Sequence, residues 1–224
     1  YKISTSLQAL GIRVTVFCYH LGRDVDNTRI LRIPNFFWYH RTSAGPSYHK
    51  IYLDSVLGLR TLFSCLTSKF DIIHACLHEG AAIGLMVRSL NRIPVVFDAH
   101  GSLTDEMLAH KFIKKDGLSF NVWLWLERAL DQKVDAILTS SPVNAENLVK
   151  KFGVNKERVF LVEDGVDTSV FRPGYDVSKL REKLGIPVGR KIVVYLGVLD
   201  AYQGTDCLLR AIPHVVDEIK NAHF

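Results

Sequence analysis

Polar and turn-forming residues follow five predicted strands of this chain, each group directly after an apolar run. The groups are His78 and Glu79, Asp98 and His100, Ser140 and Ser141, Asp164 to Asp167, and Gly197 to Gly204. Carboxyl ends of parallel strands share one edge of a sheet, and open α/β sheets bind ligands at that edge. The pattern therefore predicts that these groups converge on a ligand crevice. Any one of them alone also suits a helix cap or a turn.

His100 is the first choice for a catalytic residue. It follows the apolar run 95–97 and Asp98. An imidazole can donate, accept or carry charge near neutral pH, which suits contact with a phosphate or a sugar hydroxyl. Gly101 lets a ligand approach the backbone closely, and Ser102 to Asp105 matches a capping box that starts a helix. From position alone, a structural histidine bonded to its own loop is an equally good interpretation.

Two other groups leave alternatives open. His78 and Glu79 suit the binding of a polyol, or the capping of the helix predicted from about Gly80 to Leu90. The loop from Gly197 to Gly204 can cradle a phosphate ahead of a helix N-terminus. That loop matches neither the dinucleotide-binding glycine motif nor the P-loop, so it is a weak signal alone.

Strands alternate with helices along the whole chain, which predicts the α/β class with a doubly wound parallel sheet. The pattern breaks at 171–175, a predicted linker that separates an N-terminal domain, 1–172, from a partial second domain, 173–224. Further predicted strands cover 12–17, 29–33, 71–75, 135–139, 158–162 and 191–196. Further predicted helices cover 48–69, 119–133, 175–184 and 205–219.

The charge is uneven. The first seventy residues hold nine Lys or Arg and three Asp, a net +6, against −1 for the remainder. This basic part suits an anionic membrane surface, a phosphorylated lipid or nucleic acid, or only a solvated surface. The predicted helix 48–69 carries an apolar stripe that includes Leu59, Phe63 and Leu66. Packing on the sheet is the commoner fate of such a stripe, and lying on a membrane is the alternative.

Composition points to an ordinary globular protein. Apolar residues make up 48% and charged residues 23% of the chain, and no apolar run is long enough to span a membrane. The four cysteines lack the spacing of a zinc site, which favours reduced core thiols in a cytoplasmic protein. The sequence begins with Tyr1 and not with a methionine, and its first residues resemble the middle of a helix. We therefore expect the chain to be part of a longer one.

Four blocks together carry a resemblance to a known family. They are Asp71–Ala75, Ile93–Ser102, Asp164–Thr168 with Phe171–Pro173, and Tyr195–Leu209. In order and spacing they resemble the retaining GT-B glycosyltransferases of family 4. The resemblance implies two Rossmann-like domains, an N-terminal one for the acceptor and a C-terminal one for the nucleotide sugar. This chain would hold the first domain, without its first strand, and the beginning of the second.

The resemblance also implies roles for individual residues. His100 falls on the family's functional histidine, beside the reacting sugar and the acceptor. The expected acceptor-binding residues are His78, Glu79, Asp98 and Gly101. The expected donor-binding residues are Gly165, Asp167, Gly197, Gln203 and Gly204. No metal and no cofactor are expected, since the nucleotide diphosphate sugar is itself a substrate.

Three departures from the family pattern bear on these roles. Tyr1 falls after the first strand and the glycine-rich loop of family members. Where the family places Arg and Lys on the donor diphosphate, this chain has Val198 and Gln203. The acidic motif that holds the donor sugar would lie beyond Phe224. We therefore expect residues 1–224 alone to be inactive.

The expected activity is transfer of a sugar, of the hexosyltransferase type, from a nucleotide diphosphate to an acceptor hydroxyl with retention. The expected acceptor is a sugar or lipid-linked molecule in cell-envelope, exopolysaccharide or glycolipid synthesis. We expect a cytoplasmic protein with peripheral contact at the inner membrane face and no nucleic-acid partner. The alternatives are a nucleotide-sugar epimerase of the same architecture and a non-catalytic nucleotide-sugar-binding module.

Overall fold

A computed structural model describes residues 2–41, 45–115, 117–199 and 203–224. The chain forms two compact units, Tyr1–Gly165 and Val166–Phe224. Tyr1, positions 42–44, position 116 and positions 200–202 within the loop from Gly197 to Gly204 lie outside the described residues.

A four-stranded parallel sheet organises the first unit. Its strands are β3 (Ile73–Cys76), β4 (Val95–Asp98), β5 (Ala136–Thr139) and β6 (Val159–Leu161), hydrogen-bonded in that order. Every strand is three or four residues long and mostly apolar; β4 and β5 are the most buried, whereas Phe160 and Leu161 of β6 are exposed. The predicted α/β class with a parallel sheet is confirmed.

A second, two-stranded parallel sheet precedes it, formed by β1 (Thr15–Cys18) and β2 (Arg29–Arg32). The helix α1 (Lys2–Ala9) ends before Gly11, whose φ of +80° permits the left-handed turn. The Ile12 amide then donates to the Leu7 carbonyl. That bond occupies the amide, so the strand begins at Thr15 rather than at Ile12.

Five helices follow α1 in the first unit. They are α2 (His49–Thr67), α3 (Leu77–Asn91), α4 (Leu103–Ala109), α5 (Leu118–Lys133) and α6 (Pro142–Lys150). Two predicted caps are confirmed. The Ser102 side chain accepts a hydrogen bond from the Asp105 amide, and the Ser141 side chain accepts one from the Asn144 amide. Each cap satisfies a backbone N–H that the first helical turn leaves without a partner.

The start of α3 differs from the prediction. β3 passes into α3 without a loop, and Leu77 makes the turn with a φ of +62°, a rare conformation for a residue other than glycine. His78 and Glu79 therefore lie in the first turn of a helix and not in a loop. The predicted start near Gly80 lies three residues after the observed start at Leu77.

Only part of the apolar stripe predicted for α2 faces the core. The helix buries Leu53, Gly58, Thr61 and Cys65, while Leu59, Phe63 and Leu66 are 65%, 68% and 59% exposed. Both faces of α2 carry apolar residues, and Gly58 allows close contact with α3 on the buried face. The expected packing is therefore wrong for Leu59, Phe63 and Leu66, whereas Tyr52 and Val56, earlier in the same stripe, pack against buried residues.

The second unit contains α7 (Ser178–Lys183), β7 (Lys191–Ile192), α8 (Thr205–Glu218) and β8 (Ala222–His223). β7 and β8 pair in parallel, whereas the sequence indicated one longer strand over 191–196. Only two residues of β8 are available as partners, which limits the length of β7. The prediction of two domains, 1–172 and 173–224, stays a prediction.

The cysteines are less buried than expected. All four are free thiols; Cys65 is buried, Cys18 is intermediate, and Cys76 and Cys207 are exposed. Cys207 lies in the first turn of α8, whose covered positions recur at helical spacing at Thr205, Leu208, Ile212 and Val215. Cys207 falls outside that row, so the expectation of core thiols is wrong for it.

Gly84 tests the packing of α3 on the sheet. A Cβ at this position would lie 2.9 Å from Val95 Cγ1 and 3.3 Å from Ile73 Cγ2. We expect Gly84→Ala to cost about 1–2 kcal/mol in urea unfolding, because overpacking outweighs the gain in helix propensity. Gly58→Ala is the control, since its Cβ would meet the flexible end of Met86 at 3.3 Å. Equal effects of the two substitutions would contradict this packing.

Candidate active site

Asp98 and His100 lie at the carboxyl end of β4. Asp98 is its last residue, and His100 Nε2 lies 3.6 Å from Asp98 Oδ2. The His100 side chain is 57% exposed, while that of Asp98 is 14% exposed. A sheltered carboxylate thus orients an imidazole that faces solvent. This arrangement leaves the exposed side of the ring accessible to a ligand.

A second histidine shares the same carboxylate. His74 Nε2 lies 3.4 Å from Asp98 Oδ2, so Asp98 lies between two imidazoles. His74 belongs to β3, and it stood within a sequence block that carried the family resemblance without being assigned a role. The signal that could have found it is the strand register, which places 74 and 76 beside 96 and 98.

The backbone before His100 is fixed by α6. Asn144 Nδ2 donates to the Ala99 carbonyl at 3.2 Å and to Thr139 Oγ1 at 3.0 Å. The Ala99 amide donates to the Leu138 carbonyl. These bonds tie the residue before His100 to β5 and α6. The predicted Ser141 cap contributes by setting where α6 begins.

The backbone after His100 is fixed by Glu127 of α5. This carboxylate is 1% exposed and accepts hydrogen bonds from the Leu103 amide at 3.0 Å, from the Thr104 amide at 2.9 Å and from the Thr104 hydroxyl. Glu127 therefore caps α4 from a distant helix, and its negative charge suits that N-terminus. No local sequence pattern indicates this role, because the contact joins residues more than twenty positions apart in the sequence.

His78 lies inside the first unit. It is 7% exposed, its Nε2 lies 3.5 Å from Asp131 Oδ1 and 3.8 Å from Glu127 Oε1, and its ring packs edge-on against Phe97. Desolvation raises the pKa of Asp131, and His78 offsets part of that rise. An acceptor contact by His78 stays a prediction, and its burial favours a structural role.

Glu79 belongs to a polar group near the ends of β1 and β3. Its Oε1 lies 2.6 Å from Lys50 Nζ of α2. Next to this pair, the Tyr19 hydroxyl donates to Asp54 Oδ1. Burial raises the pKa of Asp54, and burial together with the Asp54 hydrogen bond raises the pKa of Tyr19. Tyr19, Lys50 and Asp54 were not among the expected site residues.

The Lys50–Glu79 pair gives a pH-dependent stability. Burial acts to raise the pKa of Glu79, but the hydrogen bond and charge of Lys50 hold it below its usual value. A lowered pKa in the folded state contributes stability above the unfolded-state pKa, and this stability is lost as pH falls through the folded-state pKa.

We expect Lys50→Met to cost about 1 kcal/mol at neutral pH, with the cost shrinking as pH falls through the folded-state pKa of Glu79. Urea unfolding across pH measures it. Lys150→Met is the control, because its exposed pair with Glu146 lies within one helix. A cost for Lys50→Met that does not change with pH would contradict the electrostatic explanation.

The open space at Gly101 suits the predicted approach of a ligand. A Cβ built there meets no described atom within 4 Å. Gly101 lies next to His100, so a ligand in this space would lie beside the imidazole. The acceptor contacts of Gly101, Asp98 and Glu79 stay predictions.

The expected donor residues lie in different units. Gly165 ends the first unit, and its carbonyl accepts from Lys2 Nζ at 3.2 Å. Asp167 lies near the start of the second unit, and its carboxylate accepts hydrogen bonds from the Ser169 hydroxyl and amide; these bonds lower the pKa of Asp167. Asp167 thus closes a local turn, and its donor contact stays a prediction.

The remaining donor candidates, Gly197, Gln203 and Gly204, precede α8 in the second unit. Gly204 precedes the helix with a φ of +72°, in the left-handed region that glycine adopts readily. Gln203 is exposed. A Cβ at Gly197 would lie 2.7 Å from the Tyr195 hydroxyl, so that position requires glycine unless the tyrosine moves. Donor binding by these three residues stays a prediction.

Solved structures with the same architecture define the class of fold. Over 96% of this chain and 53% of the other, sucrose-phosphate synthase from Thermosynechococcus elongatus matches with a TM-score of 0.69 and 16% identity. Anabaena Alr3699/HepE in complex with UDP and glucose matches over 95% of this chain and 47% of the other, with a TM-score of 0.57 and 16% identity. The fold is that of a GT-B glycosyltransferase.

Residues 1–170 match the family described as Glycosyltransferase Family 4. The chain belongs to this family, as its four sequence blocks indicated. D-inositol 3-phosphate glycosyltransferase from Corynebacterium aurimucosum is 26% identical over 97% of this chain and 53% of its own length. The protein of the same name from Xylanimonas cellulosilytica is 32% identical over 38% of this chain and 22% of its own length. The chain thus spans about half the length of the Corynebacterium aurimucosum relative.

Proposed function

We propose that the full-length protein transfers a sugar from a nucleotide diphosphate sugar to an acceptor hydroxyl with retention of anomeric configuration. The observation that carries the proposal is the Asp98–His100 pair at the carboxyl end of β4, in a chain that belongs to a glycosyltransferase family. The acceptor is a sugar or a lipid-linked molecule of the cell envelope. The proposal treats the transferred group as a hexose.

His100 acts on the acceptor side in this proposal. Its exposed imidazole positions the acceptor or a hydroxyl of the donor sugar, and Asp98 holds the ring in place. Sugar transfer passes through a transition state with positive charge on the sugar and negative charge on the leaving diphosphate, so fixed dipoles and charges lower the barrier.

The donor in this proposal is a nucleotide sugar. Solved neighbours carry UDP together with glucose, or UDP-glucose, which supports a nucleotide sugar as donor. Val198 and Gln203 replace two cations of the family pattern. The amide groups at the N-terminus of α8, a helix of 14 residues, can supply part of the missing positive potential.

The test measures release of nucleotide diphosphate by purified full-length protein. A panel of nucleotide diphosphate sugars is offered with and without sugar and polyol acceptors, including inositol phosphate because curated relatives bear that name. Release that requires an acceptor supports transfer. Conversion of the donor sugar without any acceptor would instead identify an epimerase. No turnover and no calorimetric binding of any nucleotide would overturn the proposal.

We also propose peripheral membrane contact through α2. Four apolar side chains, Ile51, Leu59, Phe63 and Leu66, recur along one side of the helix and are between 59% and 70% exposed. The first seventy residues carry a net +6, which suits an anionic lipid surface. In the described ranges, no helix has the length and apolarity to cross a bilayer. Contact would therefore be at the surface of the membrane.

Vesicle co-sedimentation tests this contact. We expect Phe63→Asp to lower binding to anionic vesicles by about tenfold, since it replaces an aromatic side chain that would insert into the membrane surface with a negative charge. Leu209→Asp is the control, because Leu209 is 65% exposed in the second unit. The proposal would be contradicted if wild type and Phe63→Asp bound vesicles equally. It would also be contradicted if binding did not increase with the content of anionic lipid.

A further inference from the structure

Three metal-ligating side chains meet at the ends of β3 and β4. His74 and Cys76 are two residues apart on β3, so both project from the same face of the sheet. The parallel register places Cys76 beside Asp98 of β4. One ligating atom from each of the three residues lies within 4.8 Å of the other two. His100 lies next to the group, 3.6 Å from Asp98 Oδ2.

The distances suit a small tetrahedral ion. Zinc lies about 2.0–2.3 Å from nitrogen, oxygen and sulfur ligands, which places neighbouring ligand atoms about 3.3–3.8 Å apart. The separation of His74 Nε2 from Asp98 Oδ2 is 3.4 Å, within that range. Small side-chain rotations would bring all three ligating atoms to the same separation. The two paired strands hold the backbone of the three ligands in place.

The ligand types favour a thiophilic divalent ion. A thiolate, an imidazole and a carboxylate together suit zinc, and thiolate disfavours magnesium and calcium. The side chain of Cys76 is exposed, so an ion can reach it. Sequence spacing did not indicate this site, because two ligands stand on one strand and the third is more than twenty residues away on its neighbour.

We propose that His74, Cys76 and Asp98 bind one divalent transition metal ion of the zinc class. The fourth ligand is water or His100. On binding, the Cys76 thiol releases its proton to solvent and the sulfur coordinates the ion as a thiolate. A bound ion occupies the Asp98 carboxylate that lies beside His100, so it inhibits any reaction in which this pair takes part. Binding itself does not depend on the function proposed above.

Cobalt titration tests the site directly. The reduced chain of residues 1–224 is titrated with Co²⁺, and the near-ultraviolet band of a cobalt–thiolate bond is followed. We expect a band that saturates at one ion per chain and disappears when Zn²⁺ is added. Cys76→Ser should abolish the band and weaken Zn²⁺ binding by about 100-fold. His74→Ala should keep weak thiolate absorption with a markedly lower affinity.

Cys207→Ser is the matched control, because Cys207 is also an exposed free thiol. We expect its cobalt spectrum to equal that of the wild type. Circular dichroism of each variant reports whether it is folded. The proposal is overturned if the wild type shows no band, if the band persists in Cys76→Ser, or if Cys207→Ser removes it. Because the readout is spectroscopic, failure of sugar transfer would leave this test unaffected.

Discussion

Replacing His100 by alanine is expected to lower kcat/KM for sugar transfer by about 10²–10⁴-fold in the full-length protein, the range for a positioned group that handles a proton. The expectation follows from the position of the ring at the end of β4. Its side chain is 57% exposed, and its Nε2 lies 3.6 Å from Asp98 Oδ2. No core contact is lost with it, so folding should not change.

His214→Ala is the matched control, because His214 is exposed on α8. Its kcat/KM is expected to equal that of the wild type. His100→Asn adds a second comparison, since an amide can donate and accept hydrogen bonds but cannot carry the proton. Activity of His100→Asn well above that of His100→Ala would indicate positioning. Near-normal transfer by His100→Ala would remove His100 from the reaction.

Replacing Glu127 by alanine is expected to cost about 3–5 kcal/mol of unfolding free energy, the range for removing one partner of a buried charged network. The substitution leaves the Leu103 and Thr104 amides and the Thr104 hydroxyl without their acceptor. It also removes a carboxylate 3.8 Å from the His78 ring. Unsatisfied buried donors account for most of the expected cost.

Glu146→Ala is the control for Glu127→Ala, because Glu146 forms an exposed pair with Lys150 one helical turn away. Urea unfolding followed by far-ultraviolet circular dichroism compares the two variants. Glu127→Gln keeps the shape of the side chain, but its amide NH₂ group is a donor and would face the donor amides of α4. We therefore expect this variant to have a lower free energy of unfolding than the wild type. A Glu127→Ala variant as stable as Glu146→Ala would show that α4 needs no cap from α5.

The sheet of the first unit was predictable because each strand carries its own local signal. The run 95–97 is short, apolar and preceded by Pro94, and the Ser102 cap marks the next helix. His100 could be chosen for the same reason, since a polar residue directly after a buried strand must lie at the sheet edge. Both inferences need only local sequence.

Other parts depended on contacts between distant residues. The role of Glu127 requires knowing that α5 lies against the N-terminus of α4. The burial of His78 depends on where the strand–helix junction falls, and Leu77 makes that turn in a conformation that sequence rules assign to glycine. The buried face of α2 was misjudged because both of its faces are apolar. The convergence of His74, Cys76 and Asp98 depends on strand register.

The anomeric configuration of the product is the sharpest test of retaining sugar transfer at Asp98 and His100. Full-length wild-type protein and His100→Ala are incubated with the accepted nucleotide diphosphate sugar and acceptor, and proton NMR follows the newly formed glycosidic bond. We expect the wild type to form a product with the anomeric configuration of the donor, and His100→Ala to form it at least about 100-fold more slowly. An inverted product, or the same rate from both proteins, would contradict a retaining transfer at the Asp98–His100 edge.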